Sequence, residues 1–289
     1  MEKVWFITGA SRGLGLAIAK AALYAGNRVV VTARNTESLM NIFGDNPNVV
    51  IQSLDVTDKK SISIAVDMAN NQFGRIDVLV NNAGYGQLGW FEDTTEEQIR
   101  NQFETNVFGV MNVTRAVLPV MRAQHSGNIF TITSVSGIFS VAGGAVYASS
   151  KFAVEGLMEG VAQELKPLGI YSTIIEPGFF KTDFLDKSSV KYAENSIDDY
   201  SAQFEDFRKW HENMNHKQIG DPDKLGNLLV KLSNMGEPPV RLAAGSDGMS
   251  CILEKAENLR SEAERNKELS ISTDGETNMK INSFSEIGK

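Results

Sequence analysis

The sequence predicts an α/β fold: a single doubly wound domain on a seven-stranded parallel sheet flanked by helices. Three observations predict it. Short apolar runs rich in β-branched residues alternate with longer amphipathic stretches, which is the mark of βαβ units. A glycine cluster follows the first apolar run and opens the first amphipathic stretch. The composition, 42% hydrophobic and 22% charged over 289 residues, is that of an ordinary globular chain long enough to bury a sizeable core.

The strands are expected at Val4 to Thr8, Arg28 to Ala33, Val49 to Ser53, Ile76 to Asn81, Asn128 to Ser134, Tyr171 to Glu176 and Val240 to Ala243. Helices fill the intervals. One opens at Thr94 with Glu97 three residues on, the capping-box spacing, and another at Asp221-Pro222, cap then proline. From residue 179 to 220 there is no strand signal, and aromatic residues gather: Phe179, Phe180, Phe184, Tyr200, Phe204, Phe207 and Trp210. Tyr200, Phe204, Phe207 and His211 share helical spacing, a stripe that packs a surface helix on the core, forms a helical lid, or does both. Met249, Ile252, Leu253, Ala256 and Leu259 form the stripe of a final helix. The expected organisation is one domain over residues 1–266, including the lid at 179–220, and a flexible polar tail over 267–289.

Charge and cysteine usage narrow the function. A net charge of −8 argues against a nucleic-acid partner. The lone Cys251 excludes an internal disulfide framework and fits a reducing, cytoplasmic setting. No signal-peptide pattern opens the chain, and no apolar stretch approaches the length of a membrane span. His125, His211 and His216 form no ligand-like cluster in sequence and read as surface residues, so no metal is expected.

The glycine cluster is Thr8-Gly9-Ala10-Ser11-Arg12-Gly13-Leu14-Gly15, spaced G-x-x-x-G-x-G. Between strand and helix, such a turn brings a pyrophosphate to the helix N-terminus. The end of the second strand selects the dinucleotide. An acidic residue there suits a free ribose hydroxyl, but this chain has Ala33-Arg34, with Arg12 in the turn. Two guanidiniums suit a 2′-phosphate, so NADP(H) is expected over NAD(H). Asp55-Val56 follows the third strand, where a carboxylate can accept a bond from the adenine amino group.

Tyr147 and Lys151 stand four apart, on one face of a helix. An adjacent ammonium favours the phenolate, which makes the phenol a usable general acid at neutral pH.

With Asn81-Asn82-Ala83-Gly84 after the fourth strand, Asn106 in the next helix and Ser134 thirteen residues before Tyr147, the chain resembles the classical short-chain dehydrogenases/reductases over about residues 3–245. The run from Val146 to Leu157 and the turn Glu176-Pro177-Gly178 look like the branch of 17β-hydroxysteroid and retinol dehydrogenases and bacterial ketoreductases. The resemblance implies a Rossmann-type domain, a homodimer or homotetramer, and hydride transfer between NADP(H) and a hydrophobic ketone, aldehyde or secondary alcohol. Tyr147 would donate the proton and Ser134 orient the carbonyl oxygen. Lys151 would lower the Tyr147 pKa and hold the nicotinamide ribose, while Asn106 would support a proton-relay water. Gly9, Ser11, Arg12, Gly13, Leu14, Gly15, Arg34, Asp55 and Val56 belong to the cofactor site, and Asn82, Ala83 and Gly84 would line the adenine-ribose side and stabilise the sheet. Pro177, Gly178 and Thr182 would position the carboxamide. Two other readings remain: a 3-oxoacyl thioester reductase, and a non-catalytic NADP(H) sensor or scaffold.

Overall fold

The computed structural model describes residues 2–186, 189–194 and 197–275. The chain divides into two compact units, Met1–Ile252 and Leu253–Lys289. The first half of the larger unit runs β1 (Val4–Ile7), α1 (Gly13–Tyr24), β2 (Arg28–Ala33), α2 (Glu37–Phe43), β3 (Val49–Ser53), α3 (Lys59–Phe73), β4 (Val78–Asn81), β5 (Gly86–Leu88), α4 (Glu96–Phe103), α5 (Gly109–Gln124) and β6 (Gly127–Ile132). The chain continues with α6 (Ala145–Leu165), β7 (Ile170–Pro177), β8 (Val190–Tyr192), α7 (Ser201–Met214), α8 (Pro222–Ser233), β9 (Arg241–Ala244) and α9 (Ser246–Arg265), which crosses into the second unit.

Seven of these strands form one parallel sheet in the order β3-β2-β1-β4-β6-β7-β9, as expected. The chain winds outward from β1 to β3, then returns to place β4 on the other side of β1. That reversal creates a crevice at the carboxyl ends of β1 and β4, where open α/β sheets bind ligands.

Side-chain alternation along the strands divides the core. Val4, Phe6, Leu79, Ile129 and Ile174 pack with Ile62, Val113 and Met158 of α3, α5 and α6 on one face. Trp5, Ile7, Val80, Phe130 and Ile175 pack with Ile18 of α1 and Leu225 and Leu229 of α8 on the other. Both faces are covered, so the strands read as nearly continuous apolar runs. Helices α1 and α8 approach closely at Gly226, where a Cβ would fall 2.8 Å from Ala17 O and 2.9 Å from Ala21 Cβ. Gly226→Val is therefore expected to cost about 1–3 kcal/mol by overpacking. A thermal melt checks it, and an unchanged Tm would contradict this packing.

Three local expectations are corrected. The capping box lies one residue later: Thr95 Oγ1 accepts from Gln98 N, and Gln98 Oε1 accepts from Thr95 N. Thr94 instead donates its hydroxyl to Trp90 O, because it belongs to the preceding turn. Segment 179–220, expected without a strand, contains β8, which pairs in parallel with β5. Both strands have three residues, too few to show a period. The polar tail begins with a helix, α10 (Lys267–Ile271), and its residues 276–289 lie outside the described ones. The Asp221 cap is as expected, its side chain accepting from Asp223 N and Lys224 N.

In the second unit the described helical residues expose Leu253, Leu259, Leu269 and Ile271, and Arg260 pairs with Glu257 and Glu264. Among the described residues, no helix is long and apolar enough to cross a membrane.

Candidate active site

The glycine turn is built from positions that exclude side chains. Gly9 and Gly13 have φ of 65° and 55°, the left-handed region that favours glycine. At Gly15, a Cβ would fall 2.4 Å from Gly9 O and 2.5 Å from Asn82 Nδ2. The end of β4 clamps this turn: Asn82 Nδ2 donates to Thr8 O and Gly9 O, while the backbone amides of Asn82 and Ala83 both donate to Thr8 Oγ1. Helix α1 then opens at Gly13 without a side-chain cap. Its first amides thus fit a phosphate group, and the glycines give that group close access.

The other expected dinucleotide residues follow neighbouring strand ends. Arg12 and Arg34 are exposed, Arg34 directly after β2. Asp55 follows β3 and turns Oδ1 back to Thr57 N and Thr57 Oγ1, so part of its role is local. Val56 is buried, and a Cβ on Gly109 would come within 2.7 Å of its Cγ2. Thr182 lies across from the turn, 3.6 Å from where a Cβ on Gly13 would be, and its hydroxyl caps Phe184 N.

Helix α6 presents Tyr147 and Lys151 on one face, both buried, with the Lys151 Nζ 5.8 Å from the Tyr147 ring centre. Lys151 donates to Ile132 O at 3.0 Å. Ser134, just beyond β6, accepts from Ser136 N, and its hydroxyl is near enough to the Tyr147 hydroxyl to favour the phenolate. Asn106 sits in a π-helical turn, Glu104–Phe108, a distortion often found at functional sites. Its Oδ1 accepts from Tyr85 N, and its Nδ2 donates to Tyr85 O and Ser150 Oγ, one residue from Lys151. A Cβ on Gly84 would fall 3.1 Å from Asn106 Oδ1. The sheet thus gathers Asn106, Ser134, Tyr147 and Lys151.

The acid/base balance differs from the sequence expectation. Burial pushes the Tyr147 phenol up to about 12, with the Ser134 hydrogen bond only partly opposing it. Burial also pulls Lys151 down to about 8, against the charge of Glu155. The lysine does not dominate the phenol here, because apolar groups surround it. Leu88 and Val190 pack beside Tyr147 with Phe184, Leu185, Tyr192 and Phe207, and the Phe184 ring centre lies 5.7 Å from that of Tyr147.

Most of this apolar roof belongs to segment 179–220. The stripe on α7 packs edge-on to Trp90 through Phe204 and Phe207, at 6.1 and 5.7 Å. The loop at 89–94 ties down the same segment: Asp93 Oδ1 accepts from Ile197 N, and Glu92 Oε2 accepts from the Tyr200 hydroxyl.

A model of the short chain dehydrogenase family matches residues 3–193. The chain belongs to that family. It is 40% identical over 276 residues to Oxidoreductase BOA17 of Botryotinia fuckeliana, covering 94% of this chain and 100% of that one. Among solved structures it is similar to a short-chain dehydrogenase of Streptomyces avermitilis, with 39% identity, a TM-score of 0.88, and coverage of 95% and 100% of the two chains. It is also similar to an alcohol dehydrogenase of the archaeon Thermococcus sibiricus complexed with 5-hydroxy-NADP, at 26% identity, a TM-score of 0.66, and coverage of 84% and 96%.

Within this short-chain dehydrogenase, some site residues escaped the sequence reading. Asp247 Oδ2 accepts from Phe179 N at 2.7 Å, and its carboxylate lies 2.4 Å from where a Cβ on Gly178 would be. It therefore fixes the Pro177-Gly178 turn, which also donates from Gly178 N to Ala244 O. Only its place after Gly245 hinted at this. Trp90, Glu92 and Asp93 carry no local signal at all. Glu155 also escaped the sequence reading, although it continues the Tyr147-Lys151 interval of four.

The histidines also need correction. His211 is half-buried against Phe207 and Trp210, and His216, though exposed, joins Asp183 and Asp186 with ligand atoms within 4.8 Å. Folding brings together residues about thirty positions apart, which spacing could not reveal. Within this half-exposed group His216 Nε2 stands 3.4 Å from Asp186 Oδ1.

Proposed function

We propose that this short-chain dehydrogenase is an NADP(H)-dependent carbonyl reductase or alcohol dehydrogenase for a hydrophobic ketone, aldehyde or secondary alcohol. The observation that carries the reading is the buried phenol of Tyr147, standing near Ser134 and roofed by Phe184, Leu185 and Tyr192. When bound, the nicotinamide supplies or accepts the hydride. Hydride transfer to a carbonyl builds negative charge on its oxygen, and donors aimed there stabilise the transition state more than the ground state.

Tyr147, which keeps its proton through neutral pH, gives that proton to the oxygen, and the Ser134 hydroxyl holds the oxygen in place. Lys151, with its pKa near 8, remains largely an ammonium at pH 7 and steadies the phenolate that forms. Asn106, whose Nδ2 donates to Ser150 Oγ beside Lys151, supports a water that links Lys151 to solvent, and through it the proton is replaced. Segment 179–220 closes over this site as a lid, and its aromatic lining favours an apolar substrate. The lone Cys251 and the absence of a helical span among the described residues suit a cytoplasmic enzyme, taken here as a homodimer or homotetramer.

NADP(H) is preferred because Arg12 and Arg34 offer cationic forks to a 2′-phosphate where an acidic residue would suit the bare ribose. The similar enzyme from Thermococcus sibiricus was solved with 5-hydroxy-NADP. Arg34→Asp is expected to weaken NADPH binding by about tenfold or more, the equivalent of one lost charged hydrogen bond, and to favour NADH. Fluorescence titration with both dinucleotides checks this. An unchanged ratio of the two dissociation constants would remove Arg34 from cofactor selection.

A further inference from the structure

Beyond Lys151, the same face of α6 carries Glu155 and Glu159, so phenol, ammonium and two carboxylates follow one another at intervals of four. Glu155 is only 3% exposed. Its Oε2 meets Nη1 of Arg241, from the start of β9, and the same nitrogen lies 2.8 Å from Oε1 of Glu176, near the end of β7. Arg241 Nη2 meets Glu159. From the β6 side, Thr133 gives its hydroxyl proton to Ile175 O at 2.9 Å, and Glu155 Oε1 is left buried without a donor. Gly137 walls the carboxylate in: a Cβ there would fall 2.8 Å from Glu155 Cγ and 3.0 Å from Oε1.

A buried, incompletely paired carboxylate is costly, and an apolar side chain would fill the same space more cheaply. One guanidinium facing three carboxylates leaves a negative field. The ammonium one turn back along the helix is Lys151, itself buried.

We propose that Glu155 is a positioning residue: held by Arg241 and walled by Gly137, its carboxylate keeps the Lys151 side chain charged behind Tyr147. This rests on the reading of the site as a proton-donating one, and Glu155 acts through Lys151 without touching substrate. The charged and titratable groups facing it are Lys151 and Glu159 from α6, Glu176 from β7 and Arg241 from β9. Burial, with repulsion from Glu176, raises Glu155 itself, while Arg241 opposes the rise and favours the carboxylate that acts on Lys151.

The test reads Lys151 directly, in protein labelled with carbon-13 at the lysine ε-carbons and without cofactor, its signal assigned by its loss in Lys151→Arg. Wild type should titrate near pH 8, and Glu155→Gln about one unit lower. Glu155→Asp should restore most of the difference, and the matching limb of the kcat profile should move by the same step with the ketone KM unchanged. If the glutamine variant fails to fold, Glu155→Met gives the same reading from an apolar side chain of similar length. A Lys151 titration unmoved in these variants overturns the inference. Absence of turnover in wild type would overturn the carbonyl-reductase reading instead, while the lysine titration still decides this one.

Discussion

Tyr147→Phe is expected to lower kcat with NADPH and an apolar ketone by about 10²–10⁴-fold, the usual contribution of a positioned general acid. The change removes one oxygen and keeps the ring that packs against Phe184. NADPH affinity and Tm should remain near wild type. The loss belongs in kcat because the proton is needed only as charge develops on the carbonyl oxygen. Stopped-flow NADPH oxidation separates binding from turnover. Retained activity would remove Tyr147 from its role.

Lys151→Met should do two opposite things. Turnover should fall by a similar order, since the cation that steadies the phenolate is gone. The protein without cofactor should become more stable at neutral pH, because folding buries an ammonium whose pKa drops from 10.5 to about 8. That shift corresponds to about 3 kcal/mol of penalty, reduced by about 1 kcal/mol for the lost bond to Ile132 O. Below pH 8 both states carry the proton and the penalty is complete. Between about 8 and 10.5 the unfolded chain binds more protons than the folded one, so wild-type stability rises with pH and the variant's advantage disappears. Tyr147 works in the opposite sense at higher pH: its phenol, held up at about 12, makes stability fall between 10 and 12. Thermal melts of the two proteins from pH 7 to 10.5 check the crossover. A variant less stable than wild type at pH 7 would show that Lys151 supports the fold and is not merely tolerated by it.

What the sequence made legible was what depends on local chemistry. The seven sheet strands followed from β-branched runs, and the turn from the glycine spacing between strand and helix, although Asn82, Ala83 and Thr182, which crowd it, lie far along the chain. Tyr147 and Lys151 were found by spacing and Ser134 by the family resemblance, and folding brings them together. The remainder depends on contacts between distant positions. The β5–β8 pair joins Gly86 to Val190, Asp247 reaches back to Phe179, and Arg241 gathers glutamates from α6 and β7. None of these has a period. The direction of the Tyr147 shift was missed for the same reason: spacing placed the lysine, but only the three-dimensional roof of Phe184, Leu185 and Tyr192 shows how dry the phenol is.

The central claim is that Tyr147 delivers a proton while a hydride passes to an apolar carbonyl carbon. Wild type and Tyr147→Phe should be incubated with NADPH deuterated on either face of nicotinamide C4 and a panel of aryl, alicyclic and long-chain ketones. For at least one ketone, wild type should yield an alcohol carrying deuterium on the carbinol carbon from one of the two labelled cofactors, and the variant almost none. Tight NADPH binding with no deuterated alcohol from any ketone would contradict the account and favour a dinucleotide-binding protein without turnover.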